Sequence, residues 1–123
     1  MTQSPEPIVH GIPNCDSVKR ARQWLAEHDV GYRFHDFKKL GVPLDALAAW
    51  AAAVGWEQLI NRQGSTWRKL SEAEKTGLAA PTPAALAFVQ AHVSLIKRPL
   101  IQWPGGELTV GMDKLVLARL SGR

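Results

Sequence analysis

Apolar and polar positions change period several times along this chain, and each change marks an element. The run Ile8-Val9-His10-Gly11-Ile12 is short and mostly apolar and predicts a buried strand. From Asp16 to about His28 the spacing becomes helical. Val18, Ala21 and Leu25 recur on one face, while Lys19, Arg20, Arg22 and Glu27 fall mostly elsewhere on the wheel. Gly31 resets the chain, and Tyr32-Arg33-Phe34-His35-Asp36-Phe37 has the composition and partial alternation of a second strand. Strand, helix and strand in this order predict a βαβ unit with a right-handed crossover.

A helical block follows. Gly41-Val42-Pro43 breaks the chain, and Leu44, Leu47, Ala48, Ala51 and Val54 then form an apolar stripe that Gly55 ends. Trp56 to Ile60 predicts one more helical turn, and Asn61-Arg62-Gln63-Gly64-Ser65 reads as a loop. Ser71 and Glu74 have the spacing of a capping box. Thr82 precedes Pro83 as a cap precedes a first helical proline, with Leu86, Val89 and Val93 as the inward stripe. Leu95 to Trp103 predicts a strand entered through Arg98-Pro99, and Pro104-Gly105-Gly106-Glu107 turns it into a partner, Leu108 to Gly111. Met112 to Leu120 closes as an amphipathic helix. The predicted order is β-α-β, a helical block, then β-β-α. Without repeats or linkers, residues 1–123 are expected to form a single α/β domain.

Composition narrows the setting. With 123 residues, 46% of them apolar and 21% charged, the chain can build the core of one ordinary soluble domain. No apolar run is long enough to span a bilayer, so no membrane association is expected. Residues 1–7 are polar and proline-rich, lack the features of a secretory signal, and are expected to be a flexible tail. The net charge of +4 comes from interspersed residues, which favours anionic ligands without predicting nucleic acid. A single cysteine excludes an internal disulfide and a Cys-x-x-Cys pair. That usage fits a reducing cytoplasm, and any disulfide formed at Cys15 needs an external thiol to resolve it.

Cys15 is the first candidate for chemistry. It lies where Gly11-Ile12-Pro13-Asn14 hands the strand to the helix. Unpaired amides and the positive end of the dipole stabilise a thiolate at a helix start. The competing interpretation is a buried, inert thiol, since free cysteines are among the most buried residues. Asn14 is suited to capping the helix or to binding a ligand, and capping alone would explain it. His28, His35 and His92 show no metal-ligand spacing with each other or with Cys15, and no metal is assigned. The five tryptophans are dispersed and read as packing residues.

A βαβ unit with a cysteine at its first helix, followed by a ββα unit entered through proline, resembles the thioredoxin fold with a helical insertion. Gly11-Ile12-Pro13-Asn14-Cys15-Asp16-Ser17, Tyr32-Arg33-Phe34-His35-Asp36, Gly64-Ser65-Thr66-Trp67-Arg68-Lys69-Leu70 and Ile96-Lys97-Arg98-Pro99-Leu100 are similar, in order, to segments of the arsenate reductase (ArsC) family. The similarity covers roughly residues 8 to 119 and is nearest to the YffB-like branch; Spx-type regulators are relatives. The resemblance implies that Cys15 is the nucleophile, that Arg98 holds an anion and keeps the thiol ionised, and that Pro99 is a cis-proline beside the cysteine. It also places Arg62 in the loop that carries a second anion-binding arginine, and Asn14 and Pro99 with Arg62 among the substrate-binding residues.

Two departures modify that expectation. Gly111 stands where arsenate reductases carry a third arginine, and Gly11 where they carry a histidine, with His10 one residue early. A shift of one on a strand turns a side chain to the opposite face. Val18 occupies the second cysteine position of the Spx-type switch. The expected function is a thiol-dependent reductase with one nucleophilic cysteine. No bound cofactor is expected; glutathione is the co-substrate, acting on an anionic or thiol substrate. The alternatives are a non-catalytic, Spx-like regulator that docks on a protein partner and, third, arsenate reductase proper.

Overall fold

The computed structural model describes residues 6–122. In chain order the elements are β1 (Ile8–Gly11), α1 (Asp16–Glu27), β2 (Arg33–Asp36), α2 (Phe37–Leu40), α3 (Leu44–Val54), α4 (Trp56–Leu59), α5 (Ser65–Arg68), α6 (Glu72–Gly77), α7 (Pro83–Ala91), β3 (Leu100–Gln102), β4 (Leu108–Val110) and α8 (Lys114–Ser121). A βαβ unit, a helical stretch and a ββα unit therefore follow one another as the periodicity predicts. The chain divides into two compact units. The first runs to Phe37 and resumes at Arg98; the second is Lys38–Lys97.

The first unit is built on a four-stranded sheet in the order β2-β1-β3-β4. β1 runs parallel to β2, and β3 is antiparallel to both β1 and β4. Alternation along the central pair sorts the faces. Val9 lies opposite Ile101, and both are fully buried with Leu25 of α1 and Leu117 of α8. Each such apolar side chain contributes about 1.5–3 kcal/mol by leaving water. Trp24 and Trp103 complete this cluster, and Trp103 Nε1 donates to Thr109 Oγ1 at 3.0 Å across the hairpin. Residues 1–5 of the expected tail lie outside the described residues. Pro7 is buried, and its carbonyl accepts from Arg33 N–H at 2.9 Å, so the chain is fastened beside β2 before β1 begins.

The second unit follows local signals closely. The capping box of Ser71 and Glu74 forms at both bonds, with Glu74 N–H on Ser71 Oγ at 3.1 Å and Ser71 N–H on Glu74 Oε1 at 2.8 Å. Thr82 Oγ1 accepts from Ala85 N–H, and Pro83 starts α7. Gly55 ends α3 with φ +91°, a conformation that costs a glycine little. Three expectations shift. The buried stripe of α3 is Leu47, Trp50 and Ala51, while Leu44 and Ala48 are exposed, because the large Trp50 indole sets the inward face. Ser65 opens α5 instead of ending a loop. Leu95 lies in a 3₁₀ turn, and β3 starts only at Leu100. The backbone between them is bonded elsewhere: Asn61 N–H reaches Leu95 O at 2.7 Å, and Lys97 N–H reaches Leu59 O at 2.8 Å.

Candidate functional site

Cys15 is the N-cap of α1, with extended backbone at φ −108° and ψ 130°. Pro13 and Asn14 make the turn out of β1, Cys15 N–H donates to Ile12 O at 3.2 Å, and Cys15 O accepts from Lys19 N–H at 2.9 Å. The sulfur therefore sits where the first-turn amides of α1 lack helical partners. It is partly exposed rather than fully buried. Asn14 is exposed one residue before the cap, and the capping position expected of it belongs to Cys15.

The sheet brings the late segment to this point. β1 ends toward Cys15, and β3 is antiparallel to it with His10 opposite Leu100. Continuing that register by one residue sets Gly11 opposite Pro99, about 5 Å away as neighbouring strands lie. The Arg98–Pro99 bond is cis. Pro99 is buried, and its carbonyl accepts from Gly111 N–H at 2.9 Å. Half-buried Arg98 lies in this segment, and its hydrogen bond and charge act on the Cys15 thiol.

Several groups compete over the charge on that sulfur. Partial burial pushes the thiol up. The Val18 backbone N–H, the Ser17 hydroxyl, and the hydrogen bond and charge of Arg98 outweigh it and bring the thiol below its ordinary value. Ser17 Oγ lies 3.7 Å from Cys15 Sγ. As a neutral thiol the side chain makes no capping bond, and ionisation turns it into an acceptor that Val18 N–H can satisfy. Ser17 and the Val18 amide carry no role in the sequence reading. The available signal was their position two and three residues after an N-cap, where side chains and amides face the cap.

The two departures noted in the sequence have structural counterparts. Gly11 shares the face of β1 that meets α1, and a Cβ built there would lie 2.7 Å from Val18 Cγ2. Val18 fills the place a side chain at residue 11 would need. His10 turns to the opposite face, as the one-residue shift requires. It is buried, its Nε2 is 2.5 Å from Gln102 Oε1, and its ring is 5.0 Å from that of His35. Burial lowers its pKa, the Gln102 bond partly offsets this, and the His35 charge lowers it further. Gly111 has φ +87°, a left-handed conformation strained for any residue with a Cβ. The same glycine caps the Pro99 carbonyl, so an arginine there would strain the backbone that holds the cis-proline.

Arg62 belongs to the second unit. It is exposed, its guanidinium lies 5.6 Å from the centre of the Trp67 ring, and it borders a shallow depression with Glu57, Asn61 and Lys97. Of the residues expected at the site, Cys15, Arg98, Pro99 and Asn14 are gathered within the first unit. Among the described residues, no three His, Cys, Asp or Glu side chains group as metal ligands would, and no helix is long and apolar enough to cross a membrane.

A solved structure described as YFFB is 39% identical, covers 93% of this chain and 97% of its own, and superposes with a TM-score of 0.84. An arsenate reductase (ArsC) related protein from Brucella melitensis is 37% identical, covers 97% of each chain, and has a TM-score of 0.74. An uncharacterised protein of Haemophilus influenzae is 40% identical over 81% of this chain and 86% of its own. The global transcriptional regulator Spx of Listeria innocua is 28% identical over 76% of this chain and 70% of its own. These structures share the thioredoxin-like α/β fold read from the order of elements. The ArsC family pattern matches residues 10–118, which include the cysteine, the arginine and the cis-proline just described, and this chain belongs to the ArsC family.

Proposed function

We propose that this protein is a glutathione-dependent reductase that works through the single nucleophile Cys15. The observation that carries this reading is the set of donors around one partly exposed sulfur: the Val18 amide, the Ser17 hydroxyl and the Arg98 guanidinium. In the first step the Cys15 thiolate attacks the glutathione sulfur of a mixed disulfide R–S–S–G. A Cys15–glutathione disulfide forms, the S–S bond between RS and the glutathione sulfur breaks, and RS⁻ leaves and is protonated by solvent. A second glutathione thiolate then attacks the adduct, releasing oxidised glutathione and restoring the Cys15 thiolate. The net exchange is R–S–S–G plus glutathione to RSH plus oxidised glutathione: the incoming glutathione sulfur is oxidised as the RS sulfur is reduced, and the substrate's glutathionyl sulfur stays at the disulfide level throughout. Arg98 keeps its charge across physiological pH and offers an anion-binding group beside the reacting sulfur. The excess of basic residues suits the two carboxylates of glutathione, and the action is placed in the reducing cytoplasm.

A sulfur substrate is favoured over arsenate by the two glycines. The left-handed Gly111 and the tight fit of Gly11 against Val18 leave no arginine and no imidazole at these two positions to hold an arsenate anion or activate the thiol toward it. Incubation with oxidised glutathione should add one glutathione mass at Cys15, and Cys15→Ser should abolish turnover with a thiol donor. A thiol that titrates at the free-peptide value of about 8.5 would remove the basis of the proposal. Similarity to the Listeria innocua regulator supports a second reading, a protein-docking regulator without catalysis. In that case Cys15→Ser should leave partner binding intact and glutathione turnover should be absent from the unaltered protein.

A further inference from the structure

The reactive sulfur of a thiol enzyme is commonly ionised by a neighbouring imidazole, and here both routes for one are closed. A side chain at residue 11 would collide with Val18, and His10 faces away toward Gln102 and His35. The groups that act on the sulfur are the Val18 amide, Ser17 Oγ and Arg98. On the helix itself, Asp16, Lys19 and Arg20 are exposed and do not figure among these groups. No member of the set titrates near neutral pH. Ser17 is half-buried and its hydroxyl is 3.7 Å from Sγ. Either atom can donate while the thiol is neutral; once sulfur is ionised, only the hydroxyl can.

We propose that Ser17 is the positioning residue for the Cys15 sulfur: its hydroxyl donates to the thiolate and, with Arg98, takes the place of a titratable base. The inference rests on the reductase reading for its biological use, but not for its test. Two consequences follow. The thiol should ionise in a single step, uncoupled from any histidine. Removing the hydroxyl should also shift that step upward without moving the fold, because the hydroxyl acts on the anion more than on the neutral thiol.

The test is the pH dependence of Cys15 alkylation by iodoacetamide in the full chain, for the unaltered protein, Ser17→Ala and Ser17→Thr. Ser17→Ala is expected to lower the rate at neutral pH by about fivefold and to match the unaltered protein once both thiols are ionised. Ser17→Thr keeps the hydroxyl and should restore most of the rate. Far-UV circular dichroism should be the same for all three. An unshifted profile in Ser17→Ala, failure of Ser17→Thr to recover, or a second ionisation near the histidine range in the unaltered protein would overturn the inference. The two proposals fail separately. A shifted profile without glutathione turnover leaves the role of Ser17 standing and removes the reductase; normal turnover with an unshifted profile does the reverse.

Discussion

The two units of this protein are specified in different ways. In Lys38–Lys97 the helices begin and end on neighbours in sequence: Ser71 with Glu74, Thr82 with Ala85, Gly55 after Val54. In the first unit the functional geometry depends on partners far apart in sequence. His10 meets Gln102 across 92 residues, and Arg98 acts on the Cys15 sulfur from a segment that β3 lays along β1. Local bonds of the first kind form one at a time and can be lost one at a time. Long-range fits stand or fall together, because a register error of one residue turns every side chain on the strand to the wrong face. The proposed nucleophile lies in the unit that long-range strand pairing assembles, and the donors that act on its sulfur include Arg98 from the far end of the chain.

Four measurements can break or sharpen this contrast. The largest effect is expected at Gly11. Gly11→Ala places a methyl 2.7 Å from Val18 Cγ2 and should destabilise the protein by about 2 kcal/mol in denaturant unfolding. Val18→Ala in the same chain should recover part of that loss, giving a favourable coupling in a double-mutant cycle. Strict additivity of the two changes would mean that the strand and helix are not fitted at this point.

Next is Arg98→Met, which removes both the hydrogen bond and the charge at the sulfur while keeping an apolar stem. Alkylation of Cys15 near neutral pH should slow about tenfold, one unit of thiol ionisation. An unchanged rate would detach Arg98 from the site. In the second unit, Ser71→Ala removes an exposed cap and should cost about 1 kcal/mol with no effect on Cys15 reactivity. A change in the thiol profile of this variant would show that the local and long-range regions are not separable.

The smallest effect is the pH dependence of stability that Cys15 contributes. Its folded-state value is lowered, so the folded protein releases this proton before the unfolded chain does. The contribution is fully present above the unfolded thiol value of about 8.5 and is lost as pH falls through the lowered folded value. Solvent screens a partly exposed sulfur, which keeps the effect small. Unfolding free energies at several pH values, with Cys15→Ser subtracted, should therefore rise with pH across that window. A flat difference would mean that the thiol is not stabilised in the fold.

Much of the fold was legible in the chain, for reasons that differ by element. Helix α1 was readable because Val18, Ala21 and Leu25 are bound to a period that any helix imposes. The hairpin was readable from Pro104 to Glu107, where the turn chemistry is local. The start of β3 was not, because Asn61 and Leu59 engage the backbone of Leu95 and Lys97 on the approach to it, and no neighbour in sequence announces such partners. The inward face of α3 was misjudged for a related reason: periodicity gives a stripe, but which side chain sets its centre depends on what packs against it. At the site, the strand-to-helix junction pointed to Cys15, and the resemblance to the ArsC family pointed to Arg98 and Pro99. Ser17 and the Val18 amide went unnoticed, since a serine two residues past a cap looks like any first-turn serine.

By itself the sequence determined the order of the βαβ, helical and ββα parts, the helix starts at Ser71 and Thr82 that local caps announce, and the presence of one cysteine at a strand-to-helix junction, because each depends on residues within a turn or two of one another. Only the tertiary structure decided which groups share the sulfur, that Gly11 and Val18 exclude an imidazole from it, and that Gly111 must stay a glycine. Those outcomes depend on distances between segments separated by up to some ninety residues, and a chain carries no local record of a distance that exists only after its strands have paired.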